Sequence, residues 1–559
     1  MTHAPAPGWT RTDAGYLAAV VLLAVAMWLP RLRGPLDLRY DAGVYYILGT
    51  SLAEGRGYRL LNEPGAIEAI QYPPLLPAVG AVTERLAGTD DPAIVGHWLR
   101  LGSVLVYACY AGAIYVMSRR LVAPGYAALV AALSVMHSHT IFLSDFFSAD
   151  VPYACLSTLF FALPAAASGL LAVGAYGLRS AGLALLAAWV GESVVRRRFP
   201  QALARGAVAV AAVGAWMGYA ARVKADPAYT HPAYAYQREG YQFYNVDYAD
   251  NMAYVDPFRP ELGRVSRLQA LERLVTNAAG MPMSLGEGVS VHRGWWRGEV
   301  EKVNQALHRT LVPGWVADAA MLTLAVPVVA GLALLAAWGE VLLVLYVAGS
   351  LALIAATPWP VQFVRYLIPL TPFLTLAVVA LLATAARRAA ESGGLGWRVL
   401  RGALVAVVLT IGAQQVVTLY RSMHKYPSPA VMVDRAGRRH DYRLFFYDHA
   451  WRLHDDGLDW LARAAKPGEI IATSTPHWAY LRTGLPAVMP PYEPDGARAA
   501  ALLDQVPVTY LIVDQLAFLD VGRRYTIPAI DHAPAHWRLV YAPNDSGPKI
   551  YRRVDPSSK

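Results

Sequence analysis

The residues of this chain best suited to chemistry are charged side chains at the ends of apolar runs. The first apolar run ends at Pro30, and the hydrophilic stretch after it carries Tyr40-Asp41-Ala42-Gly43-Val44-Tyr45-Tyr46. A carboxylate there, just outside a membrane helix and at the foot of an aromatic-rich loop, can take a proton from a nucleophile attacking something held at the bilayer surface. General-base help of this kind is worth about 10²–10⁴-fold in rate. The loop continues through Leu52-Ala53-Glu54-Gly55-Arg56-Gly57-Tyr58 to Glu68 and then Tyr72-Pro73-Pro74-Leu75. Further on, Asp145 and Asp150 flank a turn between apolar runs, in Leu143-Ser144-Asp145-Phe146-Phe147-Ser148-Ala149-Asp150-Val151-Pro152-Tyr153. Arg365 and Tyr366 open a later run, in Gln362-Phe363-Val364-Arg365-Tyr366-Leu367-Ile368-Pro369-Leu370-Thr371-Pro372. Charges at bilayer depth are expensive and are usually paired or functional. Two or three acids and one arginine on one face of a bundle would suit a lipid-linked anion, with the planar fork of Arg365 on a phosphate.

Each residue also has a plainer reading. An acid at a helix N-terminus stabilises the helix dipole by about 0.3–1 kcal/mol, which accounts well for Asp150 ahead of Pro152. It accounts less well for Asp41, although a short helix Ala42–Ala53 could start there. Glu68 reads as readily as a solvated loop charge. His137 and His139 are separated by one residue and share no helical face, so with His231 they read as polar groups at an interface, and no metal ligand is assigned. His477, in His477-Trp478-Ala479-Tyr480-Leu481-Arg482, is either a substrate contact or part of a helix packed on its own sheet.

The elements that must position these groups follow from composition. Of 559 residues, 56% are hydrophobic and 16% charged, and mean hydropathy is +0.32. A soluble chain carries roughly a quarter charged residues, so this is a membrane protein. The net charge of +9 does not point to nucleic acid, because no basic, aromatic-interleaved soluble face is present. The arginines instead sit in short connections: Arg119-Arg120, Arg196-Arg197-Arg198, Arg387-Arg388, Arg398 and Arg401. That is how a polytopic protein marks its cytoplasmic side. Cys109 and Cys155 lie inside apolar runs and read as small buried hydrophobes. The first run, Ala14–Pro30, reads as a retained span and not a signal peptide.

Further runs follow at Trp98–Ser118, Gly125–Leu143, Val151–Ala167, Ala181–Val195, Gly206–Ala221, Leu311–Trp338, Val341–Thr357, Tyr366–Ala386 and Ala403–Tyr420. With the short Leu170–Leu178 segment counted as a helix, the total is about eleven passes. Only that count places every arginine cluster inside, with the N-terminus cytoplasmic. The loops 31–97 and 222–309 and the tail then fall outside. The second loop is rich in tyrosine (Tyr234, Tyr236, Tyr241, Tyr244, Tyr248, Tyr254) and either lies on the headgroups or binds a sugar. After Tyr420, strands at 469–473, 509–514, 537–541 and 549–553 alternate with helices at 448–465 and 495–506, which predicts a small, partly parallel α/β domain. It has no glycine-rich phosphate loop. The expected fold is therefore mainly α, a membrane helix bundle over 1–420 with a soluble extracytoplasmic α/β domain over 421–559.

The motifs around Asp41, Leu52–Tyr58, Tyr72–Leu75, Ser148–Tyr153 and Arg365-Tyr366-x-x-Pro369-x-x-Pro372 resemble the GT-C superfamily of integral membrane glycosyltransferases. Within it they are most similar to the bacterial protein-mannosyltransferase-like and aminoarabinose-transferase-like group. The resemblance covers roughly Asp13 to Tyr420. It implies inverting transfer of a sugar from a polyprenyl-phosphate donor to a protein, lipid or glycan acceptor, at the outer face of a bacterial cytoplasmic (inner) membrane. It also implies Asp41 as general base, Asp150 as the second loop acid with Asp145 as a spare beside it, and Arg365 as donor-phosphate ligand. Tyr45, Tyr72, Tyr366 and Glu68 are expected at the substrate. Many members carry Asp-Glu at the first site, whereas Ala42 follows Asp41 here, which leaves a divalent metal open. Two rival readings are a transporter or flippase of an anionic or lipid-linked substrate, for which no internal repeat is seen, and a non-catalytic scaffold of the same fold.

Overall fold

The computed structural model describes residues 8–425, 429–517 and 520–554. The first helix, Arg11–Trp28, starts at a capping box in which Thr10 and Asp13 satisfy each other's backbone N–H groups. Asp13 is buried, accepts a hydrogen bond from the Tyr115 hydroxyl at 3.0 Å and pairs with Arg119. The start of the first helix is thereby tied to the end of Pro92–Arg119, beside the first arginine cluster.

Among the described residues, six helices are long and apolar enough to cross a membrane. Pro124–Met136 and Ser138–Ser144 make a seventh if they are counted as one span bent by 61°. Four shorter apolar helical segments accompany them: Asp150–Ala162, Ala165–Leu178, Ser180–Val195 and Val341–Ala355. Every apolar run read from the sequence is thus a helix, but not every one is long enough to span by itself. The protein is a multi-pass membrane protein. Small residues let its helices approach closely. A Cβ added at Gly331 would sit 2.1 Å from the carbonyl oxygen of Ala377, so Trp315–Ala337 lies directly against Thr371–Ser392.

Two details differ from expectation. Arg365 does not open a long helix. Pro360, Pro369 and Pro372 divide that run into a 3₁₀ turn (Pro360–Gln362), a short helix (Phe363–Leu367), a second turn (Ile368–Leu370) and the long helix Thr371–Ser392. Cys109 is exposed rather than buried, whereas Cys155 is buried; both are free thiols.

The first long loop is itself folded. It contains the helix Asp41–Ala53, a hairpin of Arg59–Leu60 with Ile67–Glu68, and the helix Leu75–Ala87. The last long apolar helix, Leu395–Lys425, leads into a hairpin of Ala430–Val433 with Arg439–Tyr442 that the sequence reading lacked. Beyond it a five-stranded sheet runs in the order Ala487–Val488, Ile470–Ala472, Val508–Val513, Lys549–Arg553, Trp537–Tyr541. Its first three strands are parallel and its last two antiparallel. This is the partly parallel α/β unit expected of the tail.

The tail packs onto the bundle through shared cores. Tyr442, Trp451 and Trp478 belong to the same buried cluster as Trp28, Tyr45 and Tyr72. Tyr234, Tyr236, Tyr241 and Tyr254 of the second long loop do not lie open on a headgroup surface. They are buried with Val488, Leu511 and Tyr525 of the tail, because the sheet supplies the apolar face that covers them.

Candidate functional site

Three segments far apart in sequence meet at one end of the bundle. Asp41 is the first residue of its helix, and Tyr40 before it stands at φ 54°, ψ −137°, a backbone conformation that side-chain-bearing residues rarely adopt. Its surroundings fix it. The Trp451 indole N–H donates to the Tyr40 hydroxyl at 2.9 Å, and the Tyr40 ring packs edge-on against Phe146 and Trp451. Just upstream, Arg39 makes two bonds to Asp37, at 2.9 and 2.7 Å, and lies over the Trp451 ring.

Asp37 also aligns the second segment. Its N–H donates to the Asp145 carbonyl at 2.9 Å and its carbonyl accepts from the Phe147 N–H at 3.1 Å, a short parallel bridge. The bridge fixes where the next helix, Asp150–Ala162, begins, and so where Asp150 stands relative to Asp41. The proline-broken segment brings in Arg365. Its Nη2 donates to Asp41 Oδ2 at 2.8 Å and to Asp150 Oδ2 at 3.0 Å. Asp150 has no exposed surface, whereas the side chains of Asp41 and Arg365 are 21% and 28% exposed. The arrangement leaves Asp41 and Arg365 open to a ligand and sets Asp150 beneath them as a fixed counter-charge.

Two participants were not singled out from the sequence. Arg179, extended in the break between the helices Ser168–Leu178 and Leu183–Val195, pairs with Asp150 and lies over the Tyr366 ring. Its signal was present: with Leu170–Leu178 counted as a pass, Arg179 falls on the outer side, against the positive-inside trend. The Tyr244 hydroxyl donates to Asp41 Oδ1 at 3.3 Å. Burial, with Asp41 adjoining, pushes its phenol well above its usual range, so it stays a donor. Nothing in the sequence distinguished it from the other tyrosines of its loop.

The predicted aromatic residues gather around this cluster. The Tyr45 and Tyr72 rings lie 4.7 Å apart, and Tyr72 also faces Tyr244 and Tyr248. The Tyr366 hydroxyl donates to Gln362 at 2.8 Å. The tail reaches the site through His477, whose ring meets Tyr244 edge-on at 4.6 Å. Burial lowers the His477 pKa to about 3, leaving the imidazole neutral.

Two predicted residues are elsewhere. Asp145 is fully buried against Arg100 at 3.4 Å and accepts the Phe445 backbone N–H at 2.6 Å, so it binds the tail to the bundle. Five residues from Asp150 and on the other side of the Asp37 bridge, it makes none of the cluster's contacts. Glu68 pairs with Arg222 at 3.1 Å beside the first-loop hairpin, as a partly solvated charge would. His137 Nε2 contacts the Glu287 carbonyl at 3.1 Å, and among the described residues no group of three or more His, Cys, Asp or Glu is arranged to hold a metal ion.

No protein-family model and no curated protein matches the chain. Solved structures do. The apo oligosaccharyltransferase of Archaeoglobus fulgidus matches with a TM-score of 0.51 and 12% identity over 90% of this chain and 69% of that one. The same organism's oligosaccharyltransferase AglB, in complex with an inhibitory peptide and a dolichol-phosphate, matches with 0.50 and 11% over 98% and 75%. ArnT of Cupriavidus metallidurans bound to undecaprenyl phosphate aligns over 97% of this chain and 98% of its own, with 14% identity and a TM-score of 0.41. At these identities the likeness to the oligosaccharyltransferase is one of fold.

Proposed function

From the GT-C fold of this chain, we propose that it transfers a sugar from a polyprenyl-phosphate-linked donor to an acceptor at the extracytoplasmic face of the membrane, with inversion at the anomeric carbon. Asp41 is the general base and Arg365 the ligand of the donor phosphate. Asp150 orients Arg365, and Tyr45, Tyr72 and Tyr366 line the substrate's path. The observation that carries this reading is the 2.8 Å contact between Asp41 and Arg365, 324 positions apart in sequence, on the open side of a buried carboxylate. A base and a phosphate-binding fork within one sugar's reach of each other are what displacement at a glycosyl phosphate needs. Support also comes from the fold-sharing AglB, whose structure is described as a complex with dolichol-phosphate.

The protein purified in detergent, given a panel of polyprenyl-phosphate sugars, should release lipid phosphate from at least one when a suitable acceptor is present. Release from none, by protein that still melts cooperatively, would refute the transferase reading.

A further inference from the structure

Both carboxylate oxygens of Asp41 are engaged by the chain's own side chains. Oδ2 is covered by Arg365 Nη2 at 2.8 Å and Oδ1 by the Tyr244 hydroxyl at 3.3 Å. A nucleophile approaching from the open side therefore meets a guanidinium where it needs an oxygen. Arg365 is in turn shared between two carboxylates, because its Nη2 also donates to Asp150 Oδ2 at 3.0 Å and its Nε to the Asp150 oxygens at 3.3 and 3.4 Å. Asp150 does not depend on Arg365 alone, since Arg179 pairs with its Oδ1. Taking the only counter-charge from a buried carboxylate is strongly unfavourable, and Arg179 removes that obstacle to Arg365 turning away.

We infer that the donor unmasks the base. The inference rests on the transferase reading above and adds an order of events to it. A lipid-borne phosphate entering the site competes with Asp41 for the planar fork of Arg365 and takes it, because two parallel N–H···O bonds to a phosphate exceed the single bond to Oδ2. Oδ2 is then uncovered, while Tyr244 keeps Oδ1 in place. In the transfer that follows, the acceptor's X–H bond breaks and its proton passes to Oδ2 as X bonds to the anomeric carbon. The bond from that carbon to the phosphate oxygen breaks, and its electron pair leaves with the lipid phosphate, whose charge Arg365 already holds. Without a donor the base stays covered, so an acceptor or water arriving first finds no proton acceptor. Arg365 is thus both ligand and latch, Arg179 and Tyr244 are positioning residues, and the donor binds first.

Affinity for a product-like lipid tests this without knowledge of the sugar or the acceptor. The probe is undecaprenyl phosphate, titrated into the full-length protein in nanodiscs, with thermal melting to confirm folding. Removing the competing carboxylate should strengthen binding: Asp41→Asn is expected to lower Kd about tenfold or more, and Asp41→Ala, as a second neutral substitution, to do the same. Arg179→Gln should weaken binding severalfold, because Asp150 then holds Arg365 as its sole counter-charge. Arg365→Gln should abolish binding. If the wild type binds but both Asp41 variants bind equally well or more weakly, the masking is wrong and the transferase reading survives. If the folded wild type does not bind the lipid phosphate, the transferase reading fails and the inference with it.

Discussion

Two clusters of acids and arginines share one end of this bundle, and both draw on the stretches 37–41 and 145–150. Asp37, Arg39, Arg100 and Asp145 form one, and Asp41, Asp150, Arg179 and Arg365 the other. In the first, every side chain is at most 2% exposed, and the arginines also donate to backbone carbonyls: Arg39 to Phe446, and Arg100 to Pro35 and Arg443. Those carbonyls belong to loop and tail, so the charges act as fasteners. In the second, only Asp150 is as buried as the first cluster; Arg179 is 17% exposed, and Asp41 and Arg365 open further to solvent, with one guanidinium shared between two acids. Charge pairing alone therefore does not mark a site. The distinguishing feature is a contact that a ligand can reach and replace.

The contrast can be broken by mutation. The largest effect is expected at Asp41: replacement by asparagine should reduce transfer by about 10²–10⁴-fold with little change in melting temperature. Activity near wild type would remove the base from the mechanism. Arg100→Met belongs to the other class. It leaves Asp145 buried without its partner and should cost about 3–5 kcal/mol of stability, read as a large fall in melting temperature. A stable, active Arg100→Met protein would show that the fasteners are dispensable. Tyr244→Phe should be milder, with a loss of about 1 kcal/mol in positioning Asp41, or roughly fivefold in kcat, and almost unchanged donor affinity.

The smallest expected effect concerns an acid outside both clusters. Glu84 accepts the Thr50 hydroxyl at 2.6 Å, and its other oxygen has no partner. Burial, uncompensated by an arginine in contact, lifts its pKa to about 7. Between the ordinary glutamate pKa and that value the folded state holds a proton that the unfolded chain has lost. Glu84 therefore makes stability fall as pH rises from about 4.5 through 7. Glu84→Gln should remove about 1 kcal/mol of that slope and raise the melting temperature at pH 8 relative to wild type. An unchanged pH profile would count against the buried, protonated state.

Asp41 and Arg365 could be picked out from the sequence because a charge at the end of an apolar run has few inexpensive explanations. The strands at 470–472, 508–513, 537–541 and 549–553 could be read too, since their apolar stretches are bounded by turn residues. Asp150 was preferred to Asp145 only through the family resemblance, since residue type and position do not separate them. They are five residues apart in one turn, and the Asp37 bridge, a long-range backbone contact with no local signature, decides which of them faces Arg365. Tyr244 was hidden among similar tyrosines, most of which turned inward because the tail sheet covers them. Arg179 escaped because a single arginine after a short apolar segment has no pattern of its own until the number of passes is known.

The unusual backbone at Tyr40 depends on Trp451, 411 positions downstream, for the hydrogen bond that anchors its side chain. Asp41, the residue immediately after Tyr40, is thus placed by a part of the chain that leaves the ribosome long after the helices. A nascent or clipped polypeptide carries every proposed catalytic group yet lacks the brace that aims them. A substitution at Trp451 would therefore be felt at Asp41, through the residue that precedes it.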